Sequence, residues 1–574
     1  MTPPESSPTQ NDFAGKKFAH VACPETDSPE GAAWGRATLP HALRKCASRW
    51  GEKPLLVFPE RQLTAAGLLR EVEQFAMGLR TLGAGPREHT AVCLPNLAET
   101  CVVELATAAL GGAVMFINTR YRVSEFEYVL KQSDAATLVL PREFLQIDFL
   151  KMLRQVCPEV AQAKDGRVRS AAFPMLQRVI VVGGAPEGLL SYEEVLRRGA
   201  ASGAAEDLRR QEEAVQPDDV VILQYTSGTT AFPKAVLLSH GQVLRNAFQM
   251  EERANVREED RVLSAMPMFH VGGSVCALLG AVTRGFTLYT SATFDAGETL
   301  RLIEEEKITT YIGLESMFIA MHNHQDFAKR SRASLSKGWS AGTPSVLRMV
   351  VEEIGIKHLC PLYGLSEGSP NVAIAGWKDP QEKRVNTMGR PEPGVEIRII
   401  DGATGRTLAR GERGEICFRG WNVMKGYYKK PEETAAAIDK EGWLHTGDAG
   451  YIDDDGFVIW TGRLKDIFRV GGENVSALEV ENFLCGHPAI RAAAVVGVPD
   501  ERLREVLLAF VQLKSGATLT EKELIEYCKE RIAGFKVPRH VRFVEQFEMT
   551  GSGKIQKYVM REKILREFES AGQS

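Results

Sequence analysis

The chain has 574 residues, of which 44% are hydrophobic and 25% charged, and its formal net charge is -4. These values are typical of a globular protein of about four domain-sized units and exclude a largely disordered chain. No basic stripe stands out, so the charge gives no reason to expect a nucleic-acid partner. Ten cysteines lie between Cys23 and Cys528 without Cys-x-x-Cys spacing, which argues against a zinc site or a disulfide framework.

The chain ends and its apolar runs bear on localisation. No apolar run reaches the roughly 18 residues of a spanning helix, since even residues 102–117 contain Glu104 and a glycine pair. Residues 1–11 are rich in Pro, Ser and Glu and lack the apolar core of a signal peptide, so residues 1–38 are predicted to be a disordered tail. The last residues do not match the peroxisomal Ser-Lys-Leu type. We therefore expect an intracellular protein without transmembrane segments, with the cytoplasm favoured.

From about Leu39 onward, apolar segments of helical and strand length alternate. The periodicity predicts a helix over 68–82, a strand over 89–94, a helix over 98–110 and a buried strand over 113–117. This order predicts an α/β fold with parallel strands.

Residues 225–234, Tyr-Thr-Ser-Gly-Thr-Thr-Ala-Phe-Pro-Lys, form a polar loop between the apolar runs 220–223 and 235–238. The loop offers hydroxyls, exposed backbone N–H groups and the mobile charge of Lys234, which together suit a polyphosphate. On composition alone an ordinary hairpin turn is the stronger alternative. A nucleoside triphosphatase P-loop is excluded, because Pro233 and Ala235 flank the lysine.

Further polar motifs follow this loop. Ser239 and Gln242 match a capping box and predict a helix start. His270 stands among apolar residues, where a lone histidine is more often a satisfied core residue. Residues 363–367, Tyr-Gly-Leu-Ser-Glu, place an aromatic ring, a hydroxyl and a carboxylate close together, as a purine, a phosphate and Mg²⁺ would require.

The last third of the chain adds a β-rich segment and three charged candidates. Runs 395–400 and 414–419 predict an antiparallel β-subdomain. Asp448 suits ribose hydroxyls and Arg463 suits ribose or phosphate, with turn capping and a surface ion pair as the alternatives. Lys554 lies between glycines, where a lysine is normally a solvated charge.

In this order, residues 225–234, 267–273, 363–367, 442–466 and 551–555 closely resemble motifs of the adenylate-forming superfamily, which includes acyl-CoA synthetases, aryl-CoA ligases and peptide-synthetase adenylation domains. The resemblance spans roughly residues 40–563 and departs from the usual pattern at several positions. Ala231 and Ala235 replace glycines that are usual or frequent, Ser366 a threonine, Lys557 an arginine, and Glu315 stands where proline is common.

The resemblance implies an α/β fold with a large N-terminal domain, residues 39–464, made of two α/β subdomains and a β-subdomain. A small, mobile α+β C-terminal domain, residues 465–574, would swing about Lys465. The implied nucleotide- and coenzyme-binding residues are Thr226, Ser227, Gly228, Thr229, Thr230, Lys234, Gly342, Tyr363, Asp448, Arg463, Gly471 and Gly472. The implied catalytic residues are His270, Ser366, Glu367 as the Mg²⁺ ligand, and Lys554.

The implied activity is ATP-dependent formation of an acyl-adenylate from a small-molecule carboxylic acid, followed by thioester formation with coenzyme A. The motifs look closest to medium- and long-chain fatty acyl-CoA synthetases, and a medium-chain fatty acid is our first interpretation. An aryl acid of the coumarate type is the second. A domain serving a carrier protein is disfavoured because no carrier follows Lys563, and a non-catalytic nucleotide-binding homologue is disfavoured because Glu367 and Lys554 are both present.

Overall fold

The computed structural model describes residues 18–24, 27–226, 233–470, 473–500, 503–549 and 555–572. The chain folds into two compact units. The large unit contains Pro24–Gly394 and Gly420–Ala436, and the C-terminal unit contains the described residues up to Cys23 together with Val395–Arg419 and those from Ala437 onward. Mixed α/β sheets and a separate C-terminal unit confirm the predicted fold class. The division at residues 464 and 465 concerns a motion and stays a prediction.

The first sheet of the large unit has eight strands. Its first six are parallel and the last two antiparallel, in the spatial order Leu190–Ser191, Arg178–Val182, Ala135–Pro141, His89–Val92, Ala113–Phe116, Val220–Thr226, Lys234–Ser239 and Gly426–Tyr427. Every residue of Ala135–Pro141 is buried. A parallel strand covered on both faces is a continuous apolar run in the sequence, which is why these strands can be predicted from it.

The second sheet of the large unit has nine strands. Its six central strands are parallel and its edges antiparallel, in the order Arg390–Pro391, Asn371–Ile374, His358–Gly364, Lys337–Ser340, Thr310–Ile312, Arg261–Ser264, Thr287–Tyr289, Pro54–Val57 and Gln62–Thr64. A separate two-stranded hairpin joins Glu143–Phe144 to Ile147–Asp148.

Helices cover these sheets and bury their apolar faces. The α-helices are Pro29–Trp34, Leu39–Trp50, Ala65–Thr81, Ala98–Ala109, Val123–Gln132, Phe149–Val156, Tyr192–Ala201, Ala205–Ala214, His240–Arg253, Gly280–Arg284, Ala296–Glu305, Glu315–His322, Pro344–Met349, Gln381–Asn386 and Pro431–Ala437. Single-turn and π-helical segments are Pro158–Gln162, Gly272–Leu279, Val350–Ile354 and Ser366–Gly368.

Two of these helices approach closely because glycines face each other. A Cβ added at Gly199 would lie 1.7 Å from the Gln74 carbonyl oxygen, and one added at Gly78 would lie 2.0 Å from that of Val195. Helices Ala65–Thr81 and Tyr192–Ala201 therefore pack backbone against backbone, which no larger residue at either position would permit.

The C-terminal unit contains three sheets. One has the order His20–Ala22, Val395–Ile400, Gly414–Gly420, Leu444–Ile452 and Val458–Arg463. The others are the antiparallel pair Ile467–Val470 and Glu473–Ser476, and the three strands Ile490–Asp500, Arg504–Leu513 and His540–Phe543. Its helices are Leu464–Asp466, Ala477–Cys485, Glu521–Lys529, Gly534–Lys536 and Lys557–Gly572.

The predicted elements agree closely with the observed ones. The helices predicted over 68–82 and 98–110 are Ala65–Thr81 and Ala98–Ala109, and the capping box at Ser239 and Gln242 opens the helix His240–Arg253. Among the described residues, no helix combines the length and apolar character needed to cross a bilayer.

The predicted disordered tail is the main difference. Within residues 1–38, His20–Ala22 pairs with Val395–Ile400 and Pro29–Trp34 is a helix, so that part of the prediction is wrong. The helix begins at Pro29 because the Ser28 side chain caps it and proline suits the first helical position. Its Trp34 is buried, and these short elements gain their stability from packing.

The buried Glu104 generates a pH-dependent stability prediction. Within the described structure both its carboxylate oxygens are buried without a hydrogen-bond partner, and burial raises its pKa to about 8. Because the folded pKa lies above the unfolded value, this group's contribution to stability is fully present below about pH 4.5 and is lost as pH rises through 8.

Glu104→Gln removes this titration. We expect the difference in the free energy of unfolding, variant minus wild type, to increase by up to about 1.4 kcal/mol per pH unit between pH 5 and pH 8. Urea unfolding at several pH values measures this, with the exposed Glu206→Gln as control. An equal difference between variant and wild type at pH 5 and pH 8 would contradict the prediction.

Candidate functional site

The predicted phosphate loop leaves one strand of the first sheet and returns on the next. Thr226 lies directly opposite Lys234 in the antiparallel register, and its hydroxyl donates to the Lys234 carbonyl oxygen at 3.3 Å. The loop residues Ser227, Gly228, Thr229 and Thr230, and also Ala231, lie outside the described residues. The connection joins two antiparallel strands, as the hairpin alternative requires, and this pairing fixes both ends of the loop.

Ala235, a departure from the resembled pattern, lies inside this strand pair. It is fully buried, pairs with Tyr225, and its carbonyl oxygen accepts a hydrogen bond from the Tyr428 N–H at 2.8 Å. The extra methyl group therefore packs in the core next to Tyr225.

Tyr363, Ser366 and Glu367 come together at the end of a strand of the second sheet. Tyr363 is buried near the end of His358–Gly364, and Ser366 and Glu367 form a single helical turn with Gly368. A Cβ at Gly364 would lie 2.4 Å from the Pro370 carbonyl oxygen, so the turn requires glycine there.

A tyrosine that the motifs did not single out links Glu367 to Lys234. The Tyr427 hydroxyl donates to Glu367 Oε1 at 2.8 Å, and the Lys234 Nζ atom lies 4.4 Å from the centre of the Tyr427 ring. Burial, followed by the Glu367 charge, raises the pKa of Tyr427, so the phenol keeps its proton and donates. The structure thus brings Lys234 and Glu367 together through one aromatic side chain.

The local sequence pattern around Tyr427 carries little signal for its role. Gly426–Tyr427 is a two-residue edge strand that pairs with Val236 and Leu237 of the first sheet. So short a strand has no periodicity of its own, and only its pairing with a distant strand places the ring.

Buried amides support the turn that carries Glu367. The Asn246 side chain donates to the Asn371 carbonyl oxygen at 2.9 Å and accepts from the Asn371 N–H at 3.2 Å. The Asn371 side chain donates to Glu392 Oε1 at 2.6 Å, and Asn422 donates to the Asn371 carbonyl oxygen at 3.0 Å. Asn246 belongs to the helix after the phosphate loop, so this network connects that helix to the strand following Glu367.

Glu315, where proline is common in the resembled pattern, binds the loop that contains Gly342. The Thr343 hydroxyl donates to Glu315 Oε1 at 2.7 Å, and the Thr343 N–H donates to Glu315 Oε2 at 3.2 Å. Burial raises the pKa of Glu315, although both bonds from Thr343 lower it. A Cβ at Gly342 would make only ordinary contacts with Glu315 and Leu347, so the carboxylate, not glycine geometry, holds this loop.

His270 lies two residues before the π-helical segment Gly272–Leu279. Its carbonyl oxygen accepts from the N–H groups of Gly273 and Ser274 at 2.8 and 3.0 Å. The preceding residues are held by Asn96, which accepts from the Met268 N–H at 2.7 Å, and by Gln224, which donates to the Phe269 carbonyl oxygen at 3.1 Å. Because Gln224 lies two residues before Thr226, His270 is held near the start of the phosphate loop, and it is only partly buried.

In the C-terminal unit, Asp448 and Arg463 lie opposite each other on adjacent strands. Arg463 Nε lies 2.9 Å from Asp448 Oδ1, and the guanidinium also donates to the Thr446 carbonyl oxygen at 3.2 Å. The Asp448 side chain is almost fully buried, whereas Arg463 is half exposed. The ion pair suggested as an alternative for Arg463 therefore exists, and its partner is Asp448 itself.

The described residues on the two sides of residues 550–554 contact each other. Lys554, Gly471 and Gly472 lie outside the described residues, but Met549 bridges to Ile555 and the Gln556 N–H donates to the Glu548 carbonyl oxygen at 2.7 Å. Lys557 forms a 2.6 Å ion pair with the buried Glu481. Lysine thus keeps a cation in place of the usual arginine at this position.

Comparisons with known proteins decide the family. A model of the AMP-binding enzyme family matches residues 43–428, and the AMP-binding enzyme C-terminal domain matches residues 479–554. The chain belongs to the AMP-binding enzyme family. Like its relatives, this AMP-binding enzyme is an AMP-forming acid–thiol ligase.

Individual relatives cover nearly the whole chain. YngI of Bacillus subtilis is 37% identical over 93% of this chain and 98% of its own length. The mitochondrial medium-chain acyl-CoA ligase ACSF2 of Rattus norvegicus is 34% identical over 92% of this chain and 87% of its own length.

Solved structures of the family share the fold. The anthranilate CoA ligase AuaEII with anthranoyl-AMP superposes with a TM-score of 0.82 at 25% identity, covering 93% of this chain and 98% of that one. ATP-bound MatB from Rhodopseudomonas palustris superposes with a TM-score of 0.78 at 23% identity, covering 92% and 99%.

Tyr427→Phe tests the link between the two sheets. The variant keeps the ring beneath Lys234 and loses the hydrogen bond to a charged Glu367, so we expect the free energy of unfolding to fall by about 2 kcal/mol. Denaturant unfolding measures this, with Tyr558→Phe, at a largely exposed position, as control. A fall in the free energy of unfolding of less than about 0.5 kcal/mol would mean that the hydroxyl contributes little to stability.

Proposed function

We propose that this enzyme is an ATP-dependent acyl-CoA synthetase that activates a medium-chain fatty acid. The observation that carries the proposal is the row of Lys234, Tyr427 and Glu367 beside the strand pair that closes the phosphate loop. A cation, a phenol and a carboxylate at this point suit a polyphosphate with its counter-ion. The matches to acyl-CoA ligases of similar length support the same activity.

In the first half-reaction the substrate carboxylate attacks the α-phosphorus of ATP and pyrophosphate leaves. Lys234, Ser366, Lys554 and the hydroxyls of Ser227, Thr229 and Thr230 offset the negative charge that gathers on the transferring phosphoryl group. Tyr363 and the Gly342 loop take the adenine, and Asp448 with Arg463 takes the ribose.

Glu367 fits the role of Mg²⁺ ligand. Its Oε1 atom is fixed by Tyr427, and Oε2 makes no hydrogen bond within the described structure, which leaves a hard, charged oxygen for the ion. When bound, Mg²⁺ supplies charge neutralisation at the phosphates. The residues of this chain position the ligand. Tyr427 orients the Glu367 carboxylate, and the amide network around Asn371 holds the turn that carries Glu367.

In the second half-reaction the thiol of coenzyme A attacks the acyl-adenylate and AMP leaves. The proposed lid, residues 465–574, turns about Lys465, which withdraws Lys554 and brings Gly471 and Gly472 to the path of the pantetheine. Glu481 has a positioning role, because its ion pair with Lys557 and a 2.6 Å bond from the Val495 N–H fix the helix start three residues after Lys554.

The acid is proposed from the segment that follows His270. All eight residues of Gly272–Leu279 are buried, and seven of them are glycine or apolar. Small and aliphatic side chains favour an alkyl chain, and similarity to a medium-chain acyl-CoA ligase supports this choice. An aryl acid is the second candidate, favoured by the similarity in structure to an anthranilate CoA ligase.

Lys554→Ala separates the two halves of the reaction. Because the lysine acts only on the transferring phosphoryl group, we expect acid-dependent ATP–pyrophosphate exchange to fall at least about a hundredfold. The rate of thioester formation from a supplied acyl-adenylate should stay within about twofold of wild type, since Lys554 does not stabilise the charge that develops in that step.

Lys563→Ala, an exposed lysine on the helix after Lys554, is the matched control and should leave both rates unchanged. If Lys554→Ala slows both half-reactions equally, the assignment of Lys554 to the first half-reaction is wrong.

The acid is identified by kcat/KM for straight-chain acids of four to sixteen carbons beside benzoate and 4-coumarate, with coenzyme A saturating. Each buried CH₂ contributes about 0.8 kcal/mol, so kcat/KM should rise roughly three- to fourfold per methylene up to a maximum near eight to twelve carbons. If 4-coumarate or benzoate exceeds every straight-chain acid, the aryl-acid alternative replaces the fatty acid.

A further inference from the structure

Three metal-binding side chains converge on one face of the C-terminal unit, apart from the residues assigned to catalysis. Cys417 and His445 lie directly opposite each other on adjacent antiparallel strands, and Glu415 is two residues before Cys417. His445 Nδ1 lies 3.6 Å from Cys417 Sγ and 3.1 Å from Glu415 Oε2. The three potential ligand atoms all lie within 4.8 Å of one another.

The two distances from His445 Nδ1 match the edges of a tetrahedral metal site. With a Zn–S bond of 2.3 Å and Zn–N and Zn–O bonds near 2.0 Å, tetrahedral geometry places S and N about 3.6 Å apart and N and O about 3.3 Å apart. The observed distances are 3.6 and 3.1 Å. Two of the three edges that a cation needs are therefore already in place, and the third pair of atoms, sulfur and carboxylate oxygen, lies within 4.8 Å.

Hydrogen bonding alone does not satisfy both contacts of His445 Nδ1. If this nitrogen carries a proton it donates to Glu415 and cannot accept from the Cys417 thiol. If it carries a lone pair it accepts from the thiol but faces the Glu415 carboxylate at 3.1 Å. A divalent cation between the three atoms satisfies thiolate, imidazole and carboxylate together.

Asp439 supplies the outer contact that a metal-binding histidine usually has. Its Oδ2 atom lies 3.7 Å from His445 Nε2, on the opposite side of the ring from Cys417 and Glu415. This contact is longer than a hydrogen bond, and a carboxylate on this side of the ring favours a proton on Nε2 once a cation takes the Nδ1 lone pair. Arg398 lies 3.0 Å from the same oxygen and fixes its position.

The site combines a buried thiol with an accessible edge. Cys417 is fully buried. His445 and Asp439 are each about a third exposed, which gives an ion a path from solvent.

We propose that Glu415, Cys417 and His445 bind one Zn²⁺ ion, with Asp439 orienting the histidine and water as the fourth ligand. A thiolate, an imidazole and a carboxylate are the donor set that zinc prefers. The spacing of cysteines argues against a zinc site, but spacing along the chain cannot reveal this cluster. Only one cysteine contributes, and the ligands come from neighbouring strands.

The ion would fix the strand segment that carries Asp448. The Glu415 Oε1 atom accepts a hydrogen bond from the Gly447 N–H at 3.0 Å, one residue before Asp448. The site is thus structural and holds two strands of the sheet together next to a proposed ribose-binding residue.

The test begins with the full chain purified without chelators. Elemental analysis should give about one zinc per chain, which follows from one site. After metal removal, titration with Co²⁺ should produce visible d–d bands and a near-ultraviolet thiolate-to-cobalt band that saturate at one equivalent. Zn²⁺ should restore any loss of thermal stability caused by the chelator.

Variants separate this site from the other nine cysteines. Cys417→Ser and His445→Gln should abolish the thiolate band, Asp439→Asn should weaken affinity about ten- to a hundredfold, and Cys528→Ser, at a buried cysteine elsewhere in the unit, should bind as wild type. His445→Gln is at a partly exposed position, so it remains informative if Cys417→Ser does not fold. A wild-type chain that binds no zinc or cobalt, or a cobalt band that survives His445→Gln, would overturn the proposal and leave a hydrogen-bonded histidine at this position.

Discussion

The hydrogen bond from Tyr427 to Glu367 connects the two sheets of the large unit. Tyr427 lies on the edge strand of the eight-stranded sheet, and Glu367 follows a strand of the nine-stranded sheet. The Met424 N–H adds a bond to the Glu367 carbonyl oxygen at 2.9 Å. Because Lys234 lies over the same ring, a shift of either sheet would separate the cation from the carboxylate, and the proposed phosphate site depends on their closeness.

Much of this arrangement could be predicted from the sequence. The strands before the phosphate loop are continuous apolar runs. A parallel strand that is covered on both faces needs apolar residues on both sides, so it is recognisable in the sequence. The polar residues after strands 220–226 and 358–364 could therefore be located as loop residues, and the family motifs assigned their chemistry. The predicted roles of the loop residues, Lys554, Gly471 and Gly472 stay predictions.

Other features depended on contacts that no local pattern contains. Tyr427 acts from a two-residue edge strand, and the Asp448–Arg463 pair depends on register across two strands. The cluster of Glu415, Cys417 and His445 likewise comes from strand pairing, which the spacing of cysteines along the chain does not reveal. The helix Pro29–Trp34 was missed because a short helix that is stabilised by packing has little periodicity.

The departures from the family pattern fit their surroundings. Glu315 holds the loop that contains Gly342 through Thr343, Ala235 packs inside a strand pair, and Lys557 keeps a cation on Glu481. Each of these residues thus makes a contact of its own next to a proposed functional group. None of them removes a donor or a charge that the proposed adenylation requires.

The central claim is that an acid is activated as an acyl-adenylate. The most direct measurement supplies octanoate with both carboxylate oxygens labelled with ¹⁸O, together with ATP and coenzyme A, and locates the label in the products by mass spectrometry. Attack of the carboxylate on the α-phosphorus, followed by thioester formation, predicts one ¹⁸O in each AMP and none in pyrophosphate. Unlabelled AMP, or label in inorganic phosphate with release of ADP, would contradict the account.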